Sequence, residues 1–158
     1  MPVDFESILA DAKKRHEKKA AEEALAGSRD QERKRAEAQA GNEWLEENVR
    51  PGLQQARTAF EKIGLYATIG GDFDASQNAP FLAFYCAEPS VPRDFGGQVM
   101  SETLFIASDG KSVRVGYGDP GAKQPVRWSA PQPVASADID RLLGEATRRV
   151  ADSYYSRL

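Results

Sequence analysis

Apolar residues recur with a helical period up to about Gly64 and with an alternating period after it. Ahead of Gly64 they stand three or four residues apart, the pattern of a helix lying on a core: Leu53, Ala56, Phe60 and Ile63. Pro51 precedes this stripe, and a proline there either kinks the preceding helix or opens a new one at its first position. Because glycine commonly ends helices, the pattern predicts a helix that ends at Gly64.

Between Leu65 and about Pro131, apolar runs alternate with polar positions and are separated by turn residues. We expect five strands, at about 65–69, 81–88, 98–107, 111–117 and 124–129. Short links predict antiparallel neighbours, and Asp109-Gly110 predicts a tight hairpin turn. The run FLAFYCA is apolar at both alternating sets of positions, so both faces of its strand should be covered, one by a helix and the other by a second layer or a partner.

The segment that begins at Ser136 predicts a final helix packed on the sheet, with Ser136 or Asp138 as its cap. Its apolar positions have helical spacing: Ile139, Leu142, Leu143, Ala146, Val150 and Tyr154. The sequence therefore predicts an α+β fold, an antiparallel meander of about five strands flanked by amphipathic helices.

The first 41 residues differ in composition from the rest of the chain. The first forty contain nine Lys or Arg and nine Asp or Glu, with Ala, Gln and Leu between them, all residue types common in helices. Gly27-Ser28 should break or bend this helix, and Asn42 is suited to cap the next one. We expect a charged helical arm over residues 1–41 and an α+β domain over residues 42–158.

The net charge and the length of the apolar runs argue against several classes of function. A net charge of -3 argues against a surface that binds nucleic acid or anionic lipid as a whole. The stretch VGYGDPG at residues 115–121 resembles the filter loop of potassium channels, which needs spanning helices of about 20 apolar residues around it. The apolar runs here are far shorter, so the sequence predicts a strand and a turn at this place and no membrane partner. One cysteine and no apolar leader suggest a cytoplasmic protein.

Candidate chemistry is sparse. Cys86 lies in an apolar run and His16, the single histidine, lies in the charged arm, so neither predicts a nucleophile beside a base. The stretch IGGDFD at residues 69–74 resembles the Gly-Gly-Asp-Glu-Phe signature of diguanylate cyclases, but Phe73 replaces the second acid and the expected strands lack the helices of that family. Whether Asp72 and Asp74, expected in a loop, bind a cation stays open. The sequence predicts no catalytic residue, metal site or cofactor.

Three functions remain as hypotheses. The first is a non-enzymatic interaction module that self-associates or binds another protein through its arm, with Trp44, Leu45 and Val49 at the interface; the same residues would serve equally well in the domain's own core. The second is a nucleic-acid-binding protein that uses the basic clusters of the arm: Lys13, Lys14, Arg15, Lys18, Lys19, Arg33, Lys34 and Arg35. The third is a small-ligand binder or enzyme with an unidentified acidic pocket.

Overall fold

The computed structural model describes residues 3–74, 79–87, 100–119 and 126–157. Within these ranges the helices are α1 (Phe5–Asn48), α2 (Arg50–Lys62) and α3 (Ile139–Ser156). The strands are β1 (Tyr66–Asp74), β2 (Ala79–Ala87), β3 (Thr103–Ser108), β4 (Ser112–Gly118), β5 (Arg127–Trp128) and β6 (Gln132–Pro133). The chain forms two compact units, Met1–Ala36 and Glu37–Leu158, which we call the helical unit and the sheet unit.

The boundaries of α1 correct two expectations from the sequence. The helix continues through Gly27-Ser28, where a break was expected, because one glycine costs only about 1 kcal/mol against the many helix formers around it. The expected cap at Asn42 is also wrong, since α1 ends only at Asn48. Pro51 then lies in the first turn of α2, where its missing N–H removes no helical hydrogen bond.

The sheet is an antiparallel meander, as the sequence predicted. Its strand order is β1-β2-β3-β4-β5, and β6 also pairs with β4. The short strand β6 was not expected, and β1 is longer than predicted. Gly70 pairs with Ala83 and Asp72 with Phe81, so the stretch IGGDFD lies in the strand and not in a loop. Parts of the expected strands at 98–107 and 124–129 lie outside the described residues.

The turn between β3 and β4 has the chemistry that its sequence predicted. Gly110 adopts a φ of 89°, a left-handed conformation that favours glycine. The Asp109 carboxylate accepts hydrogen bonds from the amides of Lys111 at 2.9 Å and Ser112 at 2.8 Å. Burial by itself would raise the pKa of Asp109, but these hydrogen bonds outweigh it and the pKa lies below its ordinary value.

The core of the sheet unit lies between one face of the sheet and the helices. Side chains from the middle strands point into it, including Phe84, Leu104 and Ile106, each 0% exposed. They are covered by Leu45 at the end of α1, by Val49 between the two helices, and by Leu53 and Phe60 of α2. Helix α3 covers them with Leu143, Ala146, Val150 and Tyr154. The rings of Phe60 and Phe84 stack with centroids 5.7 Å apart. The predicted packing of the last helix on the sheet is confirmed.

The opposite face of the sheet carries a row of aromatic rings. Phe81 of β2 meets the ring of Phe105 edge-on, with centroids 5.4 Å apart, and Phe105 lies 6.2 Å from Trp128 of β5. All three side chains are half-buried. Strand β2 is therefore apolar on both faces, as FLAFYCA indicated, with its deeply buried residues on the helix-covered face.

Candidate functional site

Three large apolar side chains of the helical unit are exposed on one side of α1. Phe5 is 70% exposed, Ile8 53% and Leu9 69%, although such side chains are normally buried. Their spacing of three and four residues places them next to each other on the helix surface. We call Phe5, Ile8 and Leu9 the N-terminal apolar cluster. A contiguous apolar surface of this kind is typical of an interaction site.

Leu25, in the same helical unit, is also exposed, at 53%. It lies 16 residues beyond Leu9, so at about 100° per residue the two side chains point about 160° apart. Leu25 therefore does not extend the N-terminal apolar cluster. A single exposed leucine is common on protein surfaces and indicates no site.

The eight basic residues of the nucleic-acid hypothesis are all exposed on α1. Some of them pair with neighbouring acids on the same helix. Lys13 lies 3.9 Å from Glu17, and Asp30 contacts both Arg33 at 2.5 Å and Lys34 at 3.5 Å. These pairs reduce the local positive charge, and helical spacing distributes the basic side chains around the whole helix.

The three residues that the sequence suggested for an interface lie in or against the core of the sheet unit. Leu45 is 1% exposed and Val49 is 0% exposed, and both belong to the core cluster. Trp44 is partly buried and packs against the same cluster. The sequence left open whether these residues lie at an interface or in the domain's own core, and the structure places them in or against the core. Leu45 and Val49 are therefore core residues, whereas Trp44 keeps part of its surface exposed.

A groove of about 590 Å³ runs along α3 and is lined by arginines and acids: Glu102, Glu145, Arg148, Arg149, Asp152 and Arg157. Arg149 lies 3.0 Å from the Glu102 carboxylate and 3.7 Å above the Tyr117 ring. Burial raises the pKa of Tyr117, and the nearby Arg149 charge opposes that shift.

Arg157 donates to the Asp119 carboxylate and, at 2.8 Å, to the Met100 carbonyl. Two of the three arginines of this groove are therefore engaged within the protein. Their contacts join the C-terminal part of α3 to Tyr117 of β4 and to residues that flank β3 and β4. The sequence could not reveal these contacts, because Glu102 and Arg149 are 47 residues apart.

A second cavity, of about 410 Å³, includes Asp72 together with Glu46 and Arg50. Glu46 and Arg50 form an ion pair at 2.5 Å, and the Asp72 carboxylate accepts a hydrogen bond from the Phe73 amide at 2.8 Å. Asp72 and Asp74 lie on the same face of β1, two residues apart. Among the described residues, no three His, Cys, Asp or Glu side chains converge as a metal site.

Cys86 is 0% exposed in the core, and burial raises the pKa of its thiol to about 11. A thiol in this environment is protonated at neutral pH and is a poor nucleophile. His16 is exposed on α1 in the helical unit.

Within the part of the chain that the structure describes, none of the helices combines the length and apolar character that a bilayer crossing requires. The chain was also compared with models of protein families, with curated proteins and with solved structures, and it matches none of them.

Proposed function

We propose that this protein is a non-enzymatic interaction module that self-associates, or binds a partner protein, through its helical arm at residues 1–41. The observation that carries the proposal is the N-terminal apolar cluster, in which Phe5, Ile8 and Leu9 are each more than half exposed on one side of α1. A helix that is mostly polar gains stability chiefly from packing against a partner. Association would bury the cluster. The single cysteine of the chain fits a cytoplasmic setting, which is part of this proposal.

The size of the cluster indicates weak association. Complete burial of a large apolar side chain contributes about 1.5–3 kcal/mol, and three such residues from each of two copies contribute roughly 9–18 kcal/mol. Association itself costs about 4–15 kcal/mol in lost translational and rotational freedom. At the middle of both ranges the balance is about 4 kcal/mol, which corresponds to a dissociation constant of about 1 mM.

Sedimentation equilibrium of the full chain tests the proposal, with one substitution made at two positions. Leu9→Gln removes an apolar side chain from the cluster, whereas Leu25→Gln makes the same change on the other side of the helix. Glutamine keeps the helix propensity and the charge. We expect the wild type and Leu25→Gln to associate equally and Leu9→Gln to dissociate at least about tenfold more readily. A monomeric wild-type protein with no partner bound through Leu9, or equal dissociation of the two variants, contradicts the proposal.

The alternative function is binding of nucleic acid through the basic clusters of the arm. It is favoured by the exposure of all eight basic side chains, most of which stand between residues 13 and 19. Its test is a salt titration of binding to random duplex and single-stranded DNA. Lys18→Glu with Lys19→Glu should abolish binding, whereas Lys62→Glu with Lys111→Glu, which has the same change in net charge outside the arm, should preserve most of it. Equal binding by the two double variants excludes this function for the arm.

A further inference from the structure

Charge is segregated along the first five turns of α1. Residues 4–11 contain three acidic residues and no basic one, a sum of -3: Asp4, Glu6 and Asp11. Residues 13–19 contain five basic residues and one acidic one, a sum of +4: Lys13, Lys14, Arg15, Lys18, Lys19 and Glu17. The side chains of both segments are exposed on the helix surface. The N-terminal apolar cluster lies within the acidic segment.

The order of these charges decides how two copies of the helix can pair. Two parallel helices in register would place the acidic segments side by side and the basic segments side by side, which is repulsive along the whole contact. Two antiparallel helices that overlap over residues 4–19 would place each acidic segment against the basic segment of the other copy. Charges on facing helices select partner and orientation in this way in coiled coils.

The apolar side of the helix is compatible with the antiparallel arrangement. Ala12 and Ala20 lie seven and fifteen residues beyond Phe5, which places both within about 60° of it around the helix axis. In an antiparallel overlap of residues 4–19, residue 5 of one copy lies opposite residue 18 of the other, and residue 9 lies opposite residue 14, between these two alanines. The large side chains of the cluster would then pack against the aliphatic stems of Lys14, Arg15 and Lys18, whose charged ends stay in water.

We propose that two copies of this chain pair antiparallel through residues 4–19 of α1, with the acidic segment of each copy against the basic segment of the other. This inference rests on the proposed self-association and specifies its partner and geometry. It assigns the basic segment a role in orienting the pair, in addition to any contact with other molecules.

Distances between spin labels in the full-length protein test the orientation. Ala10→Cys and Ala21→Cys introduce exposed thiols away from the apolar side of the helix, 11 residues apart and on nearly the same side, and Cys86 is buried and so resists labelling. An antiparallel pair centred between residues 11 and 12 separates the two copies of residue 10 by about 5 Å along the axis and the two copies of residue 21 by about 29 Å. We therefore expect a clearly longer label distance for Ala21→Cys than for Ala10→Cys.

The possible outcomes separate this inference from the proposed function. Equal distances for the two positions indicate a parallel pair and overturn the orientation while leaving self-association intact. A longer distance for Ala10→Cys overturns the overlap at residues 4–19. The absence of any dipolar coupling at about 2 mM, above the dissociation constant of about 1 mM expected for the dimer, overturns both proposals.

Charge reversal gives an independent test, because it should weaken an antiparallel dimer and strengthen a parallel one. Lys18→Glu with Lys19→Glu places acids opposite the acidic segment of an antiparallel partner, and we expect dissociation to become several-fold easier. In a parallel pair the same change lowers repulsion between the basic segments, and the dimer would become tighter. Lys62→Glu with Lys111→Glu is the control with the same net charge and should leave dimerisation unchanged. Tighter association of the Lys18 and Lys19 variant overturns the inference.

Discussion

Replacing Gly41 with alanine should destabilise the sheet unit, because α1 approaches the backbone of β3 at this residue. A Cβ atom at Gly41 would lie 2.0 Å from the carbonyl oxygen of Ser108. A Cβ at Gly110, in the adjoining turn, would likewise lie 2.7 Å from the Cβ of Ala40. At Gly41 the contact between the helix and the sheet is thus made by backbone on both sides.

The expected cost follows from this geometry. The Gly41 contact has to lengthen from 2.0 Å to the 3.4 Å of an ordinary contact, and a backbone carbonyl cannot rotate away as a side chain can. Overpacking of this kind costs about 3 kcal/mol, at the upper end of the usual range. Alanine returns about 1 kcal/mol through its better helix propensity. We therefore expect a net loss of about 2 kcal/mol and a fall in Tm of about 4–8 °C.

Urea denaturation followed by tryptophan fluorescence measures this loss, since Trp44 and Trp128 both belong to the sheet unit. Gly144→Ala in α3 is the matched control. It makes the same change inside a helix, at a position where no atom lies within 4 Å of the added Cβ, and it should stabilise the protein by about 0.5–1 kcal/mol. If Gly41→Ala is as stable as Gly144→Ala, α1 does not approach β3 as closely as described.

Three further predictions concern the sheet unit. Burial raises the pKa of the Cys86 thiol to about 11. The thiol should therefore react with Ellman's reagent at pH 8 at least about a hundredfold more slowly in the native protein than in urea. Fast reaction in the native protein would place the thiol at the surface. The pKa of Asp109 is lowered in the folded protein, so its carboxylate stabilises the fold at pH values above its ordinary pKa of 3.8, and this stability is lost as the pH falls through the folded pKa. The difference in unfolding free energy between wild type and Asp109→Asn should therefore shrink below about pH 4. A constant difference would exclude this linkage. Arg149→Lys keeps the charge beside Glu102 but loses the planar stack on Tyr117, which should cost about 0.5–1 kcal/mol in urea denaturation, and no loss would show that the stack contributes nothing.

The antiparallel sheet was predictable because its signals are local. Short links between alternating runs can connect neighbouring strands only if the strands are antiparallel. The Asp109-Gly110 pair is typical of a hairpin turn. The end of β1 was not predictable in the same way. Two consecutive glycines, Gly70 and Gly71, are typical of a turn, but in the structure they pair with Ala83 and Leu82 of β2. Pairing with a neighbouring strand outweighed the local preference.

The site was less predictable than the fold because apolar helical positions look alike whatever covers them. Leu45 and Val49 have the same spacing and chemistry as Phe5, Ile8 and Leu9, yet the first two are buried and the last three are exposed. The spacing of these positions alone does not separate the two sets. Phe5, Ile8 and Leu9 were visible in sequence as a short helical stripe, and the alanines that follow them were the signal that this stripe does not continue into a core.

Hydrogen–deuterium exchange of the full chain at several protein concentrations tests the central claim, that residues 4–19 of α1 form the contact between copies. An unpaired charged helix opens readily, whereas pairing protects its amides. We predict that exchange in residues 4–19 slows as the concentration rises from about 20 µM to 2 mM, which spans the dissociation constant of about 1 mM expected for the dimer, while exchange in the sheet unit stays constant. Exchange in residues 4–19 that is equally fast at every concentration would contradict the account.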